Sequence, residues 1–488
     1  MIFAPSNRFF SGGRSPQEQR RGGSTLASAA APSIRLSWNG RKPNGAVGGG
    51  AFCARSALVT NPDDFEVGRF LGSYGFMNVT RQSHLHGKIG ISNLCYSSFQ
   101  TGAIPGGGRL EELNLGYSSE DIERLRVQDV GEGQVKIRLY EGRIVQGPLR
   151  GTQIVFKVYP GQRAGGIEAD MMAANELRAH AFLQGETGRI CQNIQILLGG
   201  FETKTGEQWL AFRKDGIYSA ADYAKVMSED VSKYQTGGQR SWNPFEWEQK
   251  IRWRRKFVIK LLKGAMNGLA YMHDNDRLHQ SLGPASVVLN TIIERDVAYL
   301  VPHLRDLAFS VDIRYSSLDT GPRSLSEGLW RRASSAGAFT LLEKRAFGIA
   351  DDIYEAGLLF AYLAFVPFCE AGVMDGLSLQ RLFEGTFKLD LAAAREAGCT
   401  RPEPAELEPD WSGSKQPLPL HFYGDAMYPH DVYMYCLADD RLTEAVKFLD
   451  LDDCAGWQLL QAMLNPDYRQ RPIAEAVLNH RFMTGAVP

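Results

Sequence analysis

Seven cysteines (Cys53, Cys95, Cys191, Cys369, Cys399, Cys436 and Cys454) are scattered along this chain, and no two form a C-x-x-C pair. That spacing argues against a zinc site or a disulfide framework, and the thiols read as buried or idle ones in a reducing compartment. An excess of either charge is missing as well, since 54 Lys and Arg stand against 55 Asp and Glu. Nothing in that balance points to nucleic acid or an anionic membrane surface. Long hydrophobic runs are also absent. The longest, Ala356–Phe368 (AGLLFAYLAFVPF), is too short to cross ~30 Å of hydrocarbon, so it reads as a buried core helix and no transmembrane segment is expected.

Acidic residues are nearly missing from the first ~60 positions, where Glu18 stands alone among many Ser, Gly, Ala and Arg. No compact apolar stretch of the secretory kind accompanies them. This is the composition of an organelle transit peptide, spanning 1–58 and cleaved near Cys53–Val59. Ser and Gly dominate and no Arg-rich amphipathic helix is evident, which favours a chloroplast, stroma or peripheral thylakoid, over a mitochondrion. The same composition also suits a merely disordered tail.

What is present is enough apolar material, 44% of 488 residues, for a large core in one or two domains. Residues 59–124 are mixed, with a Gly-rich loop at Gly102–Gly108 and weak periodicity. VKIRLYEGRI (Val135–Ile144) and TQIVFKVYP (Thr152–Pro160) alternate as strands do, and IEADMMAANELRAHAFLQ (Ile167–Gln184) has helical spacing. IQILLGGFETKTGEQWLAFRKDG (Ile194–Gly216) reads as two strands joined by a polar turn. Residues ~225–250 are polar and read as an insertion; helices dominate after ~250, interrupted by a Pro-rich loop at Arg401–Pro419. A small β-rich lobe followed by a larger helical one is an α+β architecture.

Several ordered motifs in the second half resemble those of protein kinases. KLLKGAMNGLAYMHDNDRLHQSLGPASVVLN (Lys260–Asn290) resembles the long kinase helix running into the catalytic loop. LRDLAFS (Leu304–Ser310) resembles the Asp-Phe-Gly segment, ADDIYEAGLLFAYLAF (Ala350–Phe365) the buried central helix, and LLQAMLNPDYRQRPIAEAVLNHRF (Leu459–Phe482) the last subdomain. Upstream, IVFKV supplies Lys157 and NEL supplies Glu176 nineteen positions later. QWLAFRKDGIYSAADYA (Gln208–Ala224) resembles the hinge of plastid kinases of the state-transition type. The resemblance covers 125–485 and implies a two-lobe kinase-like fold, with an N-lobe of about 125–215 and a C-lobe of 216–485. It leaves 59–124 as a plastid-specific extension.

The resemblance also implies roles. Lys157 would grip nucleotide phosphates and Glu176 would steady it. Asp306 would bind metal, and ATP with Mg is the ligand pair, held weakly. Gly131 and Gly133 would belong to the phosphate-covering loop, with Lys136 where a third glycine is expected. A second glycine-rich match, GRFLGSYGFMNV (Gly68–Val79), lies too far before Lys157 for an ordinary hairpin and falls to the extension. His279 and Asp352 would be structural. Arg471 would be too, pairing with a partner other than the missing Ala-Pro-Glu glutamate.

The catalytic loop departs from the kinase pattern. In His279-Gln280-Ser281-Leu282-Gly283-Pro284-Ala285-Ser286, Ser281 stands in place of the proton-accepting aspartate, Gly283 of a lysine and Ser286 of the second metal ligand. A serine hydroxyl is a poor base and carries no charge. Three readings follow: a plastid pseudokinase acting as a binding or regulatory module for a plastid protein, an active atypical serine/threonine kinase, or unrelated chemistry in the same cleft. The N-terminal expectation has a direct check. A fluorescent protein fused behind residues 1–80 is expected inside chloroplasts, shortened by about 58 residues, and a full-length cytosolic fusion would contradict the leader.

Overall fold

The computed structural model describes residues 58–76, 135–185, 190–236, 244–314, 326–399 and 442–485. Residues 1–57, the Gly102–Gly108 loop, Gly131, Gly133 and the Arg401–Pro419 stretch lie outside the described residues.

A five-stranded antiparallel sheet opens the fold: β1 (Phe65–Phe76), β2 (Val135–Ile144), β3 (Gln153–Tyr159), β4 (Leu197–Glu202) and β5 (Gln208–Arg213). Their order is β1-β2-β3-β5-β4, which puts β3 in the middle. Side chains alternate across a strand, and β3 uses both faces. Ile154, Phe156 and Val158 are buried on one face with Phe65, Ile144 and Ala211. Lys157 and Tyr159 lie on the other, beneath α1 (Gln162–Gly185), whose Ala169, Met172 and Ala173 pack with Tyr159. Buried residues of α1 such as Ala169, Met172, Ala173, Glu176, His180 and Leu183 recur at helical spacing, so Glu176 lies on the helix's buried face.

The edge strand is a correction to the sequence reading. Residues 59–124 were expected to lie outside the domain, yet Phe65–Phe76 pairs with β2 along its length, with Tyr74 opposite Ile137 and Gly75 opposite Lys136. Lys136 is therefore a strand residue facing Gly75 rather than part of a glycine loop, and the domain starts earlier than 125. Sequence distance misled because closing a loop costs only logarithmically more as it lengthens, so residues 77–134 do not forbid the pairing. Packing between β1 and β3 is tight at Gly142, where a Cβ would lie 2.6 Å from Phe156 Cε2 and 2.7 Å from Glu66 O. The Phe65 ring meets the Phe156 ring edge-on at 5.4 Å.

Helices make up most of the remainder. The ~225–250 stretch is a second correction: it belongs to α2 (Ala220–Thr236) and α3 (Pro244–Asp274), which enclose residues 237–243, outside the described ones. The polar composition hides a helical stripe of Ala220, Tyr223, Ala224 and Val231, all buried, and Tyr223 stacks on Phe257 of α3 at 4.5 Å. After α4 (Glu327–Ser335), the long α5 (Leu341–Phe365) runs through the core as expected, with residues such as Ile353, Phe360 and Phe365 buried. Thr340 starts it with a capping box: Oγ1 accepts from Glu343 N–H at 3.2 Å, and the Glu343 carboxylate accepts from Thr340 N–H at 2.9 Å. Among the described residues no helix is long and apolar enough to cross a membrane.

Because β1 is integral, Phe65→Ala in the full chain is expected to cost about 3 kcal/mol by denaturant unfolding. An unchanged midpoint would return Phe65–Phe76 to a separate extension.

Candidate functional site

Short strand pairs aim two segments at each other beneath the sheet. After β6 (Tyr218–Ser219) come β7 (Arg277–Leu278), β8 (Val287–Leu289), β9 (Pro302–Leu304) and β10 (Val311–Asp312). The β7–β10 pair sets Leu278 opposite Val311, and the β8–β9 pair sets Val287 opposite Leu304. Residues 279–286 and 305–310 therefore run side by side. His279 Nε2–H donates to Arg305 O at 3.0 Å, and Arg305 N–H donates to Ser286 O at 2.9 Å.

Lys157, Glu176 and Asp306 meet in the interior, exposed by only 4%, 1% and 3%. The Lys157 ammonium donates to both Glu176 oxygens, at 2.9 and 2.8 Å, and to Asp306 Oδ1 at 2.7 Å. Tyr159, two residues from Lys157 on the same face, donates its hydroxyl to Glu176 Oε2. Burial pushes the Glu176 carboxyl up from its ordinary value, and the Lys157 charge opposes that shift. His180, one turn beyond Glu176, has its pKa held down at about 3, chiefly by burial and next by the Lys157 charge, so it stays neutral. Asn175 joins the same helix to the far segment by donating from Nδ2 to Ala308 O and Ser310 O, both at 2.8 Å.

In the loop, His279 is fully buried and burial lowers its pKa, so its ring is neutral. With the proton on Nε2, Nδ1 accepts from Ser281 N–H at 3.3 Å. Ser281 is 3% exposed, and its hydroxyl donates to Asp306 O at 2.8 Å. Ser286 Oγ accepts from Gly283 N–H at 2.9 Å and donates to Gly283 O at 2.8 Å. Both serines thus spend their hydroxyls on backbone within the fold.

Asp352 anchors this loop from α5. Its carboxylate accepts from His279 N–H at 2.7 Å, Gln280 N–H at 2.9 Å and Gln280 Nε2 at 3.0 Å, and lies 2.9 Å from His273 Nε2. Arg471 donates to Asn465 O at 2.7 Å and Ala350 O at 3.0 Å, with its guanidinium over the Tyr354 ring. Backbone carbonyls and an aromatic face are thus among the partners of this guanidinium.

The structure brings Lys157, Glu176, Asp306, His279 and Ser281 together, with Asp352 of α5 behind them and Arg471, from the C-terminal part of the chain, packed on α5 at Ala350 and Tyr354. Gly131 and Gly133 are outside the described residues. Three contributors escaped the sequence reading: Tyr159, Asn175 and Arg305. The period-two spacing from Lys157 could have pointed to Tyr159, but no local signal marks the other two. Arg305 Nε lies 3.3 Å from Asp306 Oδ2 and donates to Ala285 O at 3.0 Å.

A magnesium site fits these residues poorly. Mg²⁺ takes oxygen ligands in near-octahedral geometry, usually one or two carboxylates with substrate phosphates. Asp306 offers one carboxylate flanked by two cations, and Ser286, on the facing loop, is neutral and engaged with Gly283. Among the described residues no three His, Cys, Asp or Glu side chains converge as a metal site.

No family model matches the chain, and no curated protein does. Among solved structures, the chain is similar to the crystal structure of an Stt7 homolog from Micromonas algae soaked with ATP. That similarity has 14% identity, spans 73% of this chain and 91% of that one, and gives a TM-score of 0.41. A likeness that distant carries no functional argument, which rests on the site's own geometry.

Proposed function

We propose that this chain is a plastid protein-kinase-like protein with an N-lobe and a C-lobe. Its cleft binds a nucleotide weakly and serves as a binding or regulatory module for a plastid protein, without useful phosphotransfer. One observation carries the reading: the Ser281 hydroxyl is buried and donates to Asp306 O at 2.8 Å. A phosphotransferase needs an anionic base there, aimed at the acceptor hydroxyl. Here the group is neutral and points its proton into the fold. The Lys157–Glu176 pair and Asp306 support the retained nucleotide site, and the acid-poor leader supports the plastid, in stroma or at the thylakoid surface.

The same assembled Lys157–Glu176–Asp306 set favours a second reading, an active atypical serine/threonine kinase. Magnitudes favour the first reading. Losing the base, the loop lysine and the second metal ligand at ~2 kcal/mol each raises the barrier by roughly 6 kcal/mol, about 10⁴ in rate.

The experiment supplies the full chain with labelled ATP, generic acceptors and stromal extract, and follows thermal stability in millimolar ATP. ATP is expected to raise the unfolding temperature, Lys157→Met to abolish that rise, and phosphate transfer to fall about 10⁴-fold below ordinary kinase rates. Transfer at ordinary rates that vanishes in Asp306→Ala would establish the second reading instead.

A further inference from the structure

We propose that the cleft takes a nucleoside triphosphate without a divalent cation, with the Arg305 guanidinium serving as the counter-cation of Asp306. The inference rests on the nucleotide-binding reading above and concerns which charges accompany the ligand.

Asp306 has both carboxylate oxygens beside cations, Oδ1 at 2.7 Å from Lys157 Nζ and Oδ2 at 3.3 Å from Arg305 Nε. Among the described residues, two carboxylates (Glu176, Asp306) meet two cations (Lys157, Arg305) here, and their charges offset one another. His180 and His279, held neutral by burial, add nothing. A triphosphate entering this site needs a positive partner, and Lys157 is the buried one. To serve it, the ammonium exchanges Asp306 Oδ1 for a phosphate oxygen and keeps Glu176. That exchange would strand Asp306, 3% exposed, as an uncompensated buried carboxylate, which is strongly unfavourable. In a metal-dependent kinase the dication compensates it. Here Arg305 already does so.

Arg305 is built into its place. Its Nε donates to Ala285 O at 3.0 Å, its N–H to Ser286 O at 2.9 Å, and its carbonyl accepts from His279 Nε2 at 3.0 Å. The side chain is a quarter exposed (25%), so it reaches from the buried carboxylate toward solvent. Its planar fork suits phosphate oxygens, and it stays charged at every physiological pH. A dication at Asp306 would meet this fixed positive charge at close range in a poorly solvated site. Ser286 Oγ, bonded in both directions to Gly283, is not free to serve it as a ligand. The features that fit magnesium badly are the ones that make it unnecessary.

The test is calorimetric titration of ATP into the full chain, once in EDTA and once in excess Mg²⁺, for wild type, Arg305→Gln and Arg305→Lys. Wild-type affinity is expected to agree within about twofold between the two buffers. Arg305→Gln should weaken binding in EDTA roughly tenfold, and Arg305→Lys, which keeps the charge, should retain most of it. Wild-type binding that requires Mg²⁺ overturns this inference and leaves the nucleotide reading standing. A folded wild type, judged by its circular dichroism and unfolding midpoint, that binds in neither buffer overturns both. Arg305→Gln binding like wild type in EDTA, or Arg305→Lys failing as badly as Arg305→Gln, removes Arg305 from the role.

Discussion

The Lys157 ammonium is where three separate parts of the chain meet. It comes from the middle strand of the sheet, bonds to Glu176 on the covering helix, and reaches Asp306 at the start of the segment after β9. Moving these charges out of water is costly, and their mutual attraction repays it only when every partner is in place. The surroundings enforce that condition. Tyr159 fixes one Glu176 oxygen, and Asn175 pins the helix to the backbone just beyond Asp306. Sheet, helix and loop are therefore positioned by one electrostatic requirement, and the nucleotide reading depends on it.

The loop beside this cluster keeps its shape by different means. Gln280 and Asp306 both adopt positive φ, +59° and +67°, a region unfavourable for residues with a Cβ. Asp352 holds the first through the backbone N–H groups of His279 and Gln280, and Ser281 caps the Asp306 carbonyl. None of this needs an anionic base at 281, a lysine at 283 or an amide at 286. A scaffold maintained by Asp352 and His279 holds its geometry with neutral side chains at those positions, and the hydroxyls of Ser281 and Ser286 turn inward.

Much of this was legible beforehand. The strands at Val135–Ile144 and around Lys157 and the helix bearing Glu176 follow from local pattern, and the buried helix bearing Asp352 from its apolar run and motif. Two parts were not. The edge strand Phe65–Phe76 pairs across a long sequence gap, and local patterning contains no measure of such distant pairing. The stretch after Ala220 looked like an insertion because its buried stripe is narrow and set among polar residues. At the site, motif order located Lys157, Glu176, Asp306 and Asp352. It could not reveal that Arg305 turns its guanidinium to Asp306, or that Arg471 donates to the carbonyls of Asn465 and Ala350, since both depend on tertiary approach.

A double-mutant cycle on Lys157 and Asp306 tests the buried charge cluster most directly. Stability would be measured by denaturant unfolding of wild type, Lys157→Met, Asp306→Asn and the pair. If the two groups depend on each other, each single change leaves a buried charge poorly compensated and costs about 3 kcal/mol. The double change should then cost at least ~2 kcal/mol less than the sum. Additive losses would mean that the two side chains do not meet, and would contradict the account.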